Sequence, residues 1–478
     1  MKVTLNKPDK LSIFTFLWAI ASLFHLFAFF KNLLDNPFAW ITGLFAILLL
    51  FRTRSIILFV AMLFFSVAKT IIWLPDTPNH ILFELVINLG ILMAFAVTLF
   101  SAPREGRLAR LSAVNRERFF NAFAPLARTG LIILYAFAVL AKLNWDFLNP
   151  VISCGTWWLN VIRSNGLMFI PGDEYAQYSA IYGTVIVEAA IPLLLLFSKT
   201  RWWGIILGLG FHLFLSLDPH IGMLSFCALL FALFFLFTPA DFPDKLFQLY
   251  SRLRRREPDV MRIVFFLSGL ALVLVIFIMA VARYDDPLKY APFSFWYFYA
   301  MVLIVAFFAV WLTEKWQHGH YGGFFRVQGV LFLIPGLLIL NGLCPYIGLK
   351  TQTSFAMYSN LRTEGGITNH LFIPNSLQLT GWPRDLVEIV DTDNKRFKRI
   401  AGMDITRQHL ITYFEFQRIA STTRRDFYVD YLRNGKLHNL VIRNGVSNNP
   451  EVTTPHPWLL AKLVQFRPID KGPCQCKH

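Results

Sequence analysis

Six ionisable side chains stand inside long apolar runs of this sequence: His25, Lys69, Glu84, Lys142, Glu188 and His212. Asn79-His80 and Asp218-Pro219-His220 mark the ends of two such runs. A charge in hydrocarbon costs several kcal/mol, so each of these groups needs a structural or chemical reason to be there. A lysine in an apolar wall loses the stabilisation of its charge, and its neutral amine becomes available as a base. Histidines nearby hydrogen-bond carbonyl oxygens or pass protons. Function is expected at Lys142, His80 and His212, with Asn79, Glu84 and Glu188 as candidates to bind a cofactor. Plainer readings stand beside these. Lys69 is expected to snorkel to the headgroups and His25 to be a polar contact between packed helices. Glu188 is open between an interhelical hydrogen bond and a place in the site. The tail Cys474-Gln475-Cys476-Lys477-His478 has metal-ligating residue types, but too few for a site, and no metal is expected.

The elements that position these groups follow from composition. The chain has 478 residues, of which 56% are hydrophobic and 15% charged, with 49 phenylalanines. A soluble domain carries about 25% charged residues. The excess apolar mass must therefore face lipid. Apolar stretches predict about 11 spans, near 11–31, 38–52, 55–74, 80–100, 127–145, 177–198, 202–217, 221–238, 261–283, 291–312 and 325–345. The run from Leu11 has no small-residue cleavage site and is read as a span, not a removed signal. The expected class is an α-helical polytopic membrane protein over 1–345, with a small α+β extracytoplasmic domain over 346–478.

The net charge of +16 sits mainly in short loops such as Arg104-Glu105-Gly106-Arg107 and Arg252-Leu253-Arg254-Arg255-Arg256. That pattern sets topology and meets membrane lipids; no nucleic-acid partner is expected. Roughly 21 lysines and arginines fall on the N-terminal side of the predicted bilayer and roughly 4 on the other, which predicts a cytoplasmic N-terminus and an external or lumenal C-terminus. Lys142 then lies about 21 Å, and His212 about 15 Å, above the cytoplasmic ends of their helices. His80, Glu84 and Lys69 fall in the same outer half, and Glu188 near the middle. One outward-facing cavity is the expectation.

Beyond Tyr346 the pattern changes. Leu386–Val390, Phe427–Tyr431 and Leu440–Ile442 read as strands, Asn434-Gly435 as a hairpin turn, and Asp404 or Thr406 as the cap of a helix reaching about Ile419. The stretch Ser354–His370, with Arg362, Glu364, Asn369 and His370, is expected to lie over the cavity as a lid. Five cysteines (Cys154, Cys227, Cys344, Cys474, Cys476) are too few for a disulfide scaffold; Cys154 and Cys344 are one candidate pair, with connectivity open.

The segment Tyr135–Asp146, YAFAVLAKLNWD, resembles the vitamin K-dependent gamma-carboxylase family and its bacterial relatives, the horizontally transferred transmembrane domain proteins. Asn79-His80, Phe211-His212 followed by Ile221-Gly222-Met223, Glu188, and Pro345-Tyr346 followed by Ser354-Phe355-Ala356-Met357 resemble further segments of that family in the same order. The similarity covers roughly residues 1–370. It implies that Lys142 is the base acting on a reduced naphthoquinone, with His80 and His212 orienting its oxygens or shuttling protons. It also implies that O2 and CO2 are consumed in carboxylating a glutamate of a peptide, or a small molecule, outside the cytoplasm. Leu215, Leu217 and Gly348 depart from the family pattern, and the soluble domain is shorter. The alternatives are a non-enzymatic quinone- or lipid-binding membrane protein and a transporter. A transporter is expected to place ionisable groups on both sides of the midplane and to show internal repeats, and neither is seen in the sequence.

Overall fold

The computed structural model describes residues 7–101, 115–165, 168–218, 220–255, 258–263, 265, 266, 268, 287–313, 324–403, 409–423, 425–473 and 476. The chain is 64% helical with a small C-terminal sheet. Six helices are long and apolar enough to cross a membrane: α1 (Lys10–Ala28), α3 (Ile56–Trp73), α4 (Asn79–Phe100), α5 (Arg116–Lys142), α7 (Glu174–Leu196) and α11 (Pro287–Thr313, apolar over Pro292–Leu312). Four predicted spans form shorter apolar helices: α2 (Pro37–Phe51), α8 (Arg201–Leu215), α9 (Ile221–Phe235) and Gly329–Leu343, whose α-helical part is α12 (Leu333–Leu343). Fifteen residues, as in α2, α8 and α9, rise only about 22 Å against a hydrocarbon core of about 30 Å. The expected 11 spans are thus corrected to six of spanning length among the described residues. The predicted span 261–283 lies largely outside them. Two further helices, α6 (Cys154–Ser164) and α10 (Phe242–Arg254), carry no long apolar run and were not expected.

Short polar residues start these helices by capping free backbone N–H groups. Asp9 builds a capping box on α1, and Asn36, Ser55, Asn115 and Asp173 accept from the first turns of α2, α3, α5 and α7. α9 fills the centre of the bundle, with Leu224, Cys227, Ala228, Leu230 and Phe234 fully buried. Outward-facing Phe51, Phe64, Phe100, Ile186, Phe298 and Leu340 are exposed, an apolar surface of the kind a bilayer covers.

Helix direction alternates. At one end Arg116 meets Asp9 at 2.6 Å, Lys10 donates to Thr238, and Arg128 donates to the carbonyls of Leu236 and Phe324. At the other end the C-terminal domain bonds the end of α3 through Lys462, the start of α4 through Phe355 N, and the chain just past α5 and α12 through Leu371 N and Leu379 N.

That domain is a six-stranded antiparallel sheet in the order β5-β4-β3-β1-β2-β6, where β1 is Leu386–Thr392, β2 His409–Thr412, β3 Phe427–Arg433, β4 Lys436–Arg443, β5 Val446–Ser447 and β6 Ile469–Asp470. The β3–β4 hairpin turns on Asn434 and Gly435, both at positive φ (51° and 72°), as a two-residue turn matching strand twist requires. The expected helix ending near Ile419 starts later: His409–Thr412 is a strand, and Thr412 caps the helix Tyr413–Thr422. Asp404 and Thr406 lie outside the described residues. Thr412 wins because its backbone is still extended in the sheet while its hydroxyl already accepts from Glu415 N. The domain docks onto the α3–α4 connection, where Asp76 meets Arg418 at 3.6 Å and Gln465 at 3.0 Å.

Candidate functional site

Beneath the sheet domain, α5, α6, α7, α8 and α9 line a narrow, mostly apolar pocket. Lys142, Glu188, His212, Tyr135 and Trp158 supply most of its polar lining. Lys142 Nζ sits 2.7 Å from Glu188 Oε2, with both side chains buried. The pair takes its place from geometry: Lys142 is the last residue of α5, and Glu188 is mid-way along α7, which packs against α5. His212 Nε2 lies 2.6 Å from the Tyr135 hydroxyl, while its Nδ1 and the Trp158 indole N–H have no hydrogen-bond partner among the described residues.

A strap after α12 closes the pocket. Thr353, Phe355, Tyr358 and Asn360 all have positive φ (59°, 62°, 48° and 53°), a conformation that costs non-glycine residues of order 1–3 kcal/mol each. Four asparagines hold it there. Asn79 Oδ1 accepts from Phe355 N at 2.9 Å, Asn341 donates to Thr353 O at 2.8 Å, and Asn144 donates to Ser359 O at 2.6 Å. Asn360 bridges Cys154 N and Ile152 O. Met357 and Tyr358 thereby face the pocket, and Lys142 Nζ reaches Met357 O at 3.5 Å. At the foot of the strap Lys350 donates to Thr353 Oγ1, and burial holds its amine down to about 8. Beyond it Asn369 bonds Asp146, and His370 Nε2 meets Leu140 O at 3.0 Å; burial lowers His370 below the ordinary histidine value. Arg362 reaches the tail at Gly472 O, and Glu364 caps Thr363 N.

The predicted residues therefore divide. Lys142, His212 and Glu188 line one pocket. His80 does not: its Nε2 bonds Ser225 Oγ at 3.1 Å, and the Phe226 ring stands between it and His212, 5.6 Å from one and 5.4 Å from the other. Glu84 is also elsewhere, in contact with His25 and accepting from Asn88 and Ser66, in a network that Trp18 extends. His80 stacks on His25 at its edge. Asn79 bonds the strap rather than the pocket. Lys69 does not snorkel; it is fully buried, and its amine has no hydrogen-bond partner among the described residues. The disulfide joins Cys154 to Cys476, not to Cys344, which is a free buried thiol. Cys154 opens α6 at the pocket wall, and the tail bound by Arg362 delivers Cys476 to it. Sequence reasoning missed Tyr135 and Trp158 as site residues. Tyr135 had a signal, since seven residues place it two turns from Lys142 on the same helix face. Trp158 had none, because α6 follows a loop and carries no long apolar run.

Comparison with protein-family models, with curated proteins and with solved structures finds no match.

Proposed function

We propose that the pocket takes a reduced quinone from the bilayer, and that Lys142 acts as the base in a carboxylase-like oxidation of it on the extracytoplasmic side. The observation that carries this reading is the Lys142–Glu188 pair in an otherwise apolar pocket, beside the Tyr135–His212 pair. In the chemistry implied by the resemblance, hydroquinone and O2 give quinone epoxide and water, while the γ-carbon of a glutamate loses a proton and gains CO2. The chain's own residues have narrower tasks. Glu188 positions Lys142 at the pocket wall, and the neutral form of that amine accepts the proton of a bound hydroxyl. His212, fixed by Tyr135, offers its open Nδ1, and Trp158 its indole N–H, to a second oxygen across the ring. The apolar lining and the strap exclude water. The charge asymmetry of the loops supports a cytoplasmic N-terminus, with pocket and sheet domain outside.

A second reading has its own support. The ion pair as it stands neutralises the base, which suits a protein that only binds a quinone or lipid. One experiment separates the two. Purified protein is given reduced naphthoquinone, O2, bicarbonate-derived CO2 and glutamate peptides, as wild type and as Lys142→Ala. The enzyme reading expects epoxide from wild type and at least a 100-fold loss in Lys142→Ala with quinone binding retained, since a base acts in the transition state and not in uniform binding. Binding without turnover in wild type refutes catalysis on those substrates and leaves the binding protein.

A further inference from the structure

Two exposed apolar patches of the C-terminal domain lie where the lipid-facing belt of the helices ends. The first is the short helix Trp458–Leu463, on which Trp458, Leu459 and Leu463 are 67%, 59% and 45% exposed. Its position is fixed from below: Lys462 Nζ donates to the carbonyls of Ile72 at 2.8 Å and Leu74 at 2.7 Å, the end of α3. Ile71 and Ile72, the last lipid-facing residues of that helix, are themselves exposed. The second patch is the loop bearing Phe372, Leu377 and Leu379, exposed by 73%, 52% and 76%. Leu371 N bonds Leu143 O just past α5, and Leu379 N bonds Ile347 O just past α12, both at 2.9 Å. Leu340 and Leu343 of α12 are exposed immediately before it.

Single exposed apolar side chains are ordinary on any protein surface. These are not scattered. Each patch prolongs a strip of the helical belt, and one begins with tryptophan, the residue that concentrates at headgroup level. Leu437 and Val446, also exposed, sit instead on β4 and β5 at the sheet edge opposite β6.

We propose that both patches insert into the interfacial layer of the adjoining phospholipid leaflet, so that the sheet domain stands on the membrane by two apolar feet as well as through α12. The strap and the loop through His370 lie in the part of the domain between these feet. Pinning them holds the cover of the pocket at a fixed height above the bilayer. This inference needs the membrane character of the helices and not the quinone reading.

The test uses the full chain in phosphatidylcholine–phosphatidylglycerol nanodiscs. Cys227, Cys344 and Cys474 are replaced by serine, the Cys154–Cys476 disulfide is kept, and a nitroxide is placed singly at 459, 379 or 446. Power saturation compares collision with O2, which partitions into lipid, and with a water-soluble nickel chelate. At 459 and 379 O2 accessibility is expected to exceed that of the nickel chelate several-fold, and at 446 the order is expected to reverse. A water-like ratio at 459 or 379 overturns the proposal. A label-free check is quenching by brominated lipid: the quenched part of the tryptophan emission is expected to fall in Trp458→Phe, and an unchanged quenched part overturns the placement of that foot.

Discussion

Replacing Glu188 by glutamine removes one charge from the pocket and little of its shape. At 2.7 Å the Lys142–Glu188 attraction is about 6 kcal/mol with an effective dielectric of 20. A glutamine oxygen keeps a charge-assisted hydrogen bond worth about 2 kcal/mol. The net loss is about 4 kcal/mol, within the range of about 3–5 kcal/mol for leaving one member of a buried pair alone. Lys142→Met strands the carboxylate and is expected to cost about the same. The double variant strands neither charge and is expected to lie within about 2 kcal/mol of wild type, because no ion then needs desolvation. Reversible unfolding in mixed micelles of rising dodecyl sulfate measures all four proteins, and the cycle isolates the coupling. Additive losses near 8 kcal/mol in the double variant, or a single loss below 1 kcal/mol, would refute a buried and mutually dependent pair. The same glutamine variant separates structure from chemistry: restored stability in the double variant with no recovered turnover assigns the pair a chemical role.

Asn79→Ala removes the acceptor of Phe355 N and is expected to cost about 1–2 kcal/mol, read as faster hydrogen exchange confined to 353–361. Unchanged exchange there would deny Asn79 its hold on the strap. Lys350→Met is expected to stabilise the sheet domain by about 2 kcal/mol at pH 7, because burial holds the amine at about 8 instead of 10.5, less its bond to Thr353. The penalty of the native lysine is full below its folded value of about 8 and relieved as pH rises to its unfolded value of 10.5, because the unfolded chain binds more protons between them. The gain in thermal midpoint therefore shrinks over that window; a gain independent of pH would contradict the assignment. Non-reducing peptide mapping is expected to recover Cys154 linked to Cys476, and reduction to make the chain beyond Gly472 sensitive to protease.

Much of the helical layout was legible in the sequence. The apolar runs and the Asn434-Gly435 turn are local signals, satisfied within a few residues of where they are written. Hydropathy alone overcounted spans because α2, α8 and α9 are as apolar as their neighbours but shorter than the bilayer. It placed His25, Glu84, Lys142, Glu188 and His212 within the bundle, but not Lys69, which was expected at the headgroups and is buried. Tertiary structure decided which of them meet. Lys142 and Glu188 are 46 positions apart and pair because α5 lies against α7. His80 and His212 were both expected to line the outward-facing cavity, yet one phenylalanine ring from α9 divides them. The strap's positive φ values rest on asparagines from four separate segments, and Cys154 waits for a tail 322 residues away. An apolar run can be read by itself, one run at a time. Contact across helices depends on rotation about each axis, which only the packing of all the helices together determines.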